Sequence, residues 1–168
     1  VEHQLAAAPG DKCIVLAYAV SYNMYSTLFG SNNTTTNNYV QALMNNVGAI
    51  YATAEIYVRL GTIHIYTSST SEPNNYSGGT LEALCSFGYS LPGGFMTGNT
   101  YHLLTNHDLG GGIAWVDILC KPVGPGLPQY CGNTNQYEFK TAVSANLGAT
   151  ITQVPTFSWE VMVVTHEA

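Results

Sequence analysis

The chain has little charge. Of its 168 residues only four are basic, Lys12, Arg59, Lys121 and Lys140, against ten acidic, for a formal net charge of −6. That excludes a basic surface for nucleic acid, which needs clustered Lys and Arg to neutralise phosphates. Disorder is excluded as well, because 46% of the residues are apolar and the polarity comes from Asn, Thr, Ser and Tyr. Long apolar runs are also missing: the longest, Cys13 to Val20, has eight residues, against the ~20 of a membrane helix. No span is expected. None of the four cysteines shows the CxxC spacing of a zinc ribbon or redox site. The chain starts at Val1 without an initiator Met, a basic n-region or an apolar h-region, which suits either a processed mature chain or an excised piece. Repeats and linkers are absent too, so residues 1–168 read as one domain. At this length roughly 70% of the unfolded surface is buried on folding, and neither metal nor disulfide is required merely to fold.

Among the cysteines, Cys120 and Cys131 are the disulfide candidate. They bracket the Pro- and Gly-rich segment from Lys121 to Tyr130, a loop that a bridge could close with about 2–3 kcal/mol of stabilisation. Cys13, opening an apolar strand, and Cys85, in a helical pattern, read as buried thiols. Asn32-Asn33-Thr34, Asn33-Thr34-Thr35 and Asn75-Tyr76-Ser77 fit the glycosylation sequon, but a chain rich in Asn and Thr meets that pattern by chance.

Lys12 to Val20 is a continuous apolar strand of the kind buried on both faces of a sheet. A short irregular helix follows over Ser21 to Phe29. Thr34 to Tyr51 then sets Tyr39, Leu43, Met44, Val47 and Ile50 at helical spacing. Glu55 to Tyr66 is β-branched and aromatic, with Gly61 marking a bulge or bend. Gly79 to Tyr89 reads as a second long helix with Leu81, Leu84, Cys85 and Phe87 or Tyr89 inward, closed by Pro92-Gly93-Gly94. Three strands follow: Tyr101 to Thr105, Ile113 to Leu119 after the Gly110-Gly111-Gly112 run, and Tyr137 to Ser144. Phe157 to Ala168 is helical, capped by Thr156 or Ser158, with Trp159, Met162 and Val163 on its buried stripe. Strands alternating with long helices imply an α/β fold: a three-layer sandwich on a twisted, mostly parallel sheet, with one antiparallel edge strand next to the glycine run. The last helix breaks off after His166-Glu167 with no stop signal. The domain is expected to continue.

His166 falls on the stripe of Met162 and Val163, at i+4 and i+3, and Glu167 follows it. That is the first half of an HExxH helix, in which two His four residues apart meet zinc and the Glu between serves as base. By itself a His-Glu dipeptide at a helix end is an ordinary surface feature.

The surroundings add to it. Tyr101 to Thr105, Asp108 to Cys120 with its Leu-Gly-Gly-Gly-Ile-Ala-Trp core, and Phe157 to Glu167 resemble the reprolysin-like (adamalysin-type) zinc metallopeptidases of the metzincin clan, secreted bacterial members in particular. Val47 to Tyr51 and the strand from Glu55 are similar too. The resemblance spans the chain but only the part of a catalytic domain up to the first zinc ligand, its N-terminal subdomain. It implies that His166 is that ligand and Glu167 the catalytic base, with two further His beyond Ala168 in a C-terminal subdomain missing here. Zinc lowers the pKa of a bound water to about 7, within reach of a Glu kept ionised by the neighbouring cation. The resemblance also implies that Gly111, Gly112, Ile113 and Ala114 on the edge strand offer main-chain groups to an extended protein or peptide substrate.

The parent protein is thus expected to be a secreted, extracellular zinc endopeptidase; the 168 residues alone, with one imidazole, are expected to be inactive. Nothing in the residues bears on calcium. A competing expectation is a secreted binding or adhesion domain that uses the same scaffold and its neutral surface for glycan or protein contact. Two more histidines after Ala168 would decide between them. Elsewhere, His3, His64, His102 and His107 have no second ligand at zinc spacing. Gly110 to Gly112 run into a strand rather than a helix, so they do not cradle phosphate, and Asp108 with Asp117 makes no interpretable glycosidase pair.

Overall fold

The computed structural model describes residues 13–72, 75–91, 96–115, 131, 140–149 and 159–168. In chain order they form β1 (Cys13–Val20), α1 (Tyr22–Thr27), α2 (Asn33–Ala52), β2 (Tyr57–Ile65), α3 (Thr80–Ser90), β3 (Thr100–Leu104), β4 (Gly112–Ala114), β5 (Thr141–Ser144) and α4 (Trp159–Glu167). The sheet runs β2-β1-β3-β5-β4. Every pairing is parallel except β4 with β5. The antiparallel edge strand is where the glycine run predicts it, but its neighbour is β5, not β3. With only a seven-residue connection from β3, a hairpin is the local expectation; β5 arrives later and inserts between them.

β1 is apolar throughout because strands flank it on both sides and helices cover both faces. Leu16, Tyr18 and Val20 turn toward α2 and α4, where Tyr39, Val40, Leu43, Met44, Val47, Val161 and Val164 complete one core. Ala17 and Ala19 face the other way, with Leu103 and Val143, onto Ala83, Leu84 and Phe87 of α3. Three layers result.

Local chemistry explains the element boundaries. Ser21 Oγ accepts from the Met24 amide at the start of α1, and Asn32 Oδ1 accepts from the Thr35 amide at the start of α2. Between the pairs Leu16–Leu60 and Tyr18–Ile63, β2 advances one residue more than β1. That is the expected bulge at Gly61, where a Cβ would stand 2.4 Å from the Thr97 carbonyl oxygen.

Three expectations are corrected. In α3, Leu84, Cys85 and Phe87 are buried, so that Phe87 and not Tyr89 is the inward aromatic, but Leu81 is exposed. In α4, Trp159 and Met162 are 50% and 58% exposed, and the buried positions are Glu160, Val161, Val163 and Val164. Helical spacing identifies a stripe; it does not say which of two apolar stripes faces inward. Third, Cys131 is bridged to Cys85 with Cα atoms 5.4 Å apart, not to Cys120. Sequence proximity favoured the short loop, whereas folding brings residue 131 against α3. Cys120 itself lies outside the described residues, as do Asp117, Thr156, Ser158, Pro92 to Gly94, the far end of the Ile113–Leu119 strand and the start of the Tyr137–Ser144 strand. Cys13 is a free, half-buried thiol.

Candidate active site

Three of the nine residues of α4 are valines, weak helix formers on intrinsic grounds, so the helix depends on tertiary anchors. At its start the buried Glu160 accepts the Gly148 amide through Oε1 at 3.0 Å. In its last turn the Tyr51 hydroxyl, from the end of α2, donates to the Thr165 carbonyl at 2.9 Å. Val161 and Val164 then point into the core. The face with Trp159, Met162 and His166, spaced by three and four residues, is turned to solvent. His166 and Met162 do share a face, as the spacing predicts, but it is the outer one. An imidazole presented there is free to bind a ligand.

Glu167, one residue on, is half buried. Its side chain lies against the edge strand: a Cβ on Gly112 would come within 2.6 Å of Glu167 Cγ and 2.9 Å of Oε1. Burial pushes the Glu167 carboxyl above its ordinary pKa, partly opposed by His166. Glu167 and Ala168 also close a small cleft with His102, Thr141 and Ala142.

β4 meets β5 through Gly112–Ser144, Ile113–Val143 and Ala114–Ala142. Among the described residues its other edge carries no strand, so Gly112, Ile113 and Ala114 have one open side for an added strand. Gly111 stands just before them with φ +134°, after Gly110 at +83°. The three glycines thus serve different ends: two adopt a backbone that L residues avoid, and the third makes room for the acid. Ser144, at the end of β5, accepts or donates a 2.8 Å hydrogen bond with His102 Nε2. His102 also stacks on Tyr18 and is fully buried, which lowers its pKa to about 3. It is a neutral structural imidazole.

Residues that the sequence reading passed over complete the frame. Asn146, at φ +58°, follows β5 and accepts the Leu109 and Gly110 amides on Oδ1 at 3.0 and 3.2 Å. An Asn two residues past the end of a strand is a faint signal for such a left-handed position. Glu160 left none, because the stripe read from spacing runs through Trp159, Met162 and Val163 and passes it by.

A larger groove, about 420 Å³, surrounds the Cys85–Cys131 bridge and is lined by Leu81, Glu82 and Tyr89. It lies on the α3 face, across the sheet from His166. The remaining described histidines are spoken for, with His107 stacked on Tyr76 and His64 edge-on to Tyr66. Among the described residues no three His, Cys, Asp or Glu come together. Among them His166 stands as a single donor, short of the three protein ligands of a catalytic zinc. Among the same residues no helix is long and apolar enough to cross a membrane.

A family model described as Reprolysin_5, metallo-peptidase family M12, matches residues 11–168. No curated protein matches the chain.

Proposed function

The chain belongs to metallopeptidase family M12, and on that premise we propose that it is the sheet-bearing part of a secreted zinc endopeptidase. In this reading His166 contributes one imidazole to the metal and Glu167 is the general base. Zinc, when bound, supplies a Lewis acid that makes water nucleophilic at neutral pH. The other donors come from chain beyond Ala168.

What supports the reading most is the juxtaposition on consecutive residues of α4: an imidazole turned outward and a carboxylate lodged against the strand β4. An extended peptide added to the open edge of β4 would run beside Gly112 and hence beside Glu167. The main chain of β4 would hold the substrate through backbone hydrogen bonds. The carboxyl, kept partly from water, would accept a proton from the attacking water and return it to the leaving amine.

The test is Glu167→Gln in the full-length protein. Peptide cleavage is expected to fall about 10²- to 10⁴-fold, with zinc content by metal analysis unchanged. Unaltered cleavage removes the base from Glu167, and a zinc-free full-length protein removes the metal.

A further inference from the structure

We propose that Asn146 is a positioning residue for peptide binding, setting the course of the edge strand β4 by holding the loop that feeds it. The proposal rests on the peptidase reading above and adds to it a residue that touches neither metal nor substrate.

The loop from Thr105 to Gly111 has to turn the chain out of β3 and deliver it, reversed, to the outer side of β5. Its last two residues are glycines at φ +83° and +134°. They make the turn sterically possible, yet carry no side chain by which the turn could be fixed. The fixing comes from the segment after β5. Ala145 donates its amide to the Gly111 carbonyl at 3.2 Å, Asn146 to that of His107 at 2.9 Å and Leu147 to that of Thr105 at 3.1 Å. The acceptor Oδ1 of Asn146 takes the amides of Leu109 and Gly110, and its Nδ2 donates to Asp108 Oδ1 at 2.5 Å.

Asn146 therefore binds the loop with both its main chain and its side chain, and it does so from φ +58°. Among residues with a Cβ, Asn accepts that region most readily. Gly would adopt it but offer no acceptor. The next residue after the pinned glycines is Gly112, the one against which Glu167 rests. An edge strand that wanders at Gly110 and Gly111 presents its amides and carbonyls to a substrate at no fixed distance from that acid.

Two variants of the full-length protein separate this role from general structural support. Asn146→Gly retains the backbone conformation and removes the side-chain bonds. The double exchange Asn146→Asp with Asp108→Asn restores them with donor and acceptor swapped, and the new carboxylate still accepts both amides. With an uncharged, blocked hexapeptide as substrate, Asn146→Gly is expected to raise KM about tenfold, the scale of one or two lost hydrogen bonds. kcat should stay within about threefold, and the double exchange should return KM to near the starting value. Hydrogen exchange at residues 109–112 should quicken in Asn146→Gly and recover in the double exchange.

An unchanged KM in Asn146→Gly overturns the proposal. So does a loss of kcat with KM unmoved, or a double exchange as impaired as the glycine variant. Should the unmutated full-length protein cleave no peptide, the peptidase reading is what fails, and the exchange rates still decide whether Asn146 holds the strand: unchanged rates in Asn146→Gly overturn it.

Discussion

A Cβ at position 112 would overlap Glu167, while at 110 and 111 it would meet nothing within 4 Å. At those two positions the constraint is the backbone angle instead. Three identical residues in a row thus answer to separate requirements, and only the edge strand beside them was legible beforehand. His102 shows the same limit. Its imidazole stacks on Tyr18 and hydrogen-bonds Ser144, a partner that lies 42 residues away. Burial lowers its pKa to about 3, from about 6.5 in the unfolded chain. The neutral form is favoured by folding, so its stabilisation is fully present above pH 6.5 and is lost as pH falls from there toward 3. Urea titrations at stepped pH should show stability declining over that window by up to about 1.4 kcal/mol per pH unit from this group. His102→Gln should flatten the decline; an identical slope in that variant would mean other groups cause it.

At the scale of elements, α4 combines a modest intrinsic helix preference, with three valines among its nine residues, and the most consequential residues. Its existence was legible from spacing, and its partners were not. Glu160 is buried at 8% exposure and satisfies the Gly148 amide. Replacing it by Ala leaves that amide unpaired and frees the start of the helix, at a cost of about 1–3 kcal/mol. A lower urea midpoint with unchanged slope is the expected result. An unchanged midpoint would show that the Tyr51–Thr165 bond and the valines hold α4 without it. The face assignment of α4 also came only from packing. Trp159 and Met162 look like core residues in the sequence; in the fold, Val161 and Val164 join the core built by β1 and α2, and the two large side chains are left outside beside His166.

At the scale of the whole molecule, the bridge between Cys85 and Cys131 spans 46 positions and ties α3 to the segment that follows β4. A covalent loop of that length restricts the unfolded chain, so Cys85→Ala should lose about 2–4 kcal/mol. Cys120→Ala should leave both the bridge and most of the stability in place. Peptide mapping without reductant checks the pairing directly, and a linked Cys120–Cys131 peptide would overturn it.

What the sequence determined by itself was everything that depends on neighbours along the chain. The continuous apolar run of β1, the three-to-four spacing of α2 and the bulge at Gly61 all reflect whether a residue is inside or outside a local element. The α/β class and the family resemblance follow from their order. What the tertiary structure alone decided was which distant segments meet: β5 inserted between β3 and β4, Cys131 against Cys85, Asn146 under Leu109 and Gly110, Glu167 on Gly112. Periodicity marks which residues share a face but carries no mark of the partner that covers that face, and each of these contacts is made only when the sheet assembles.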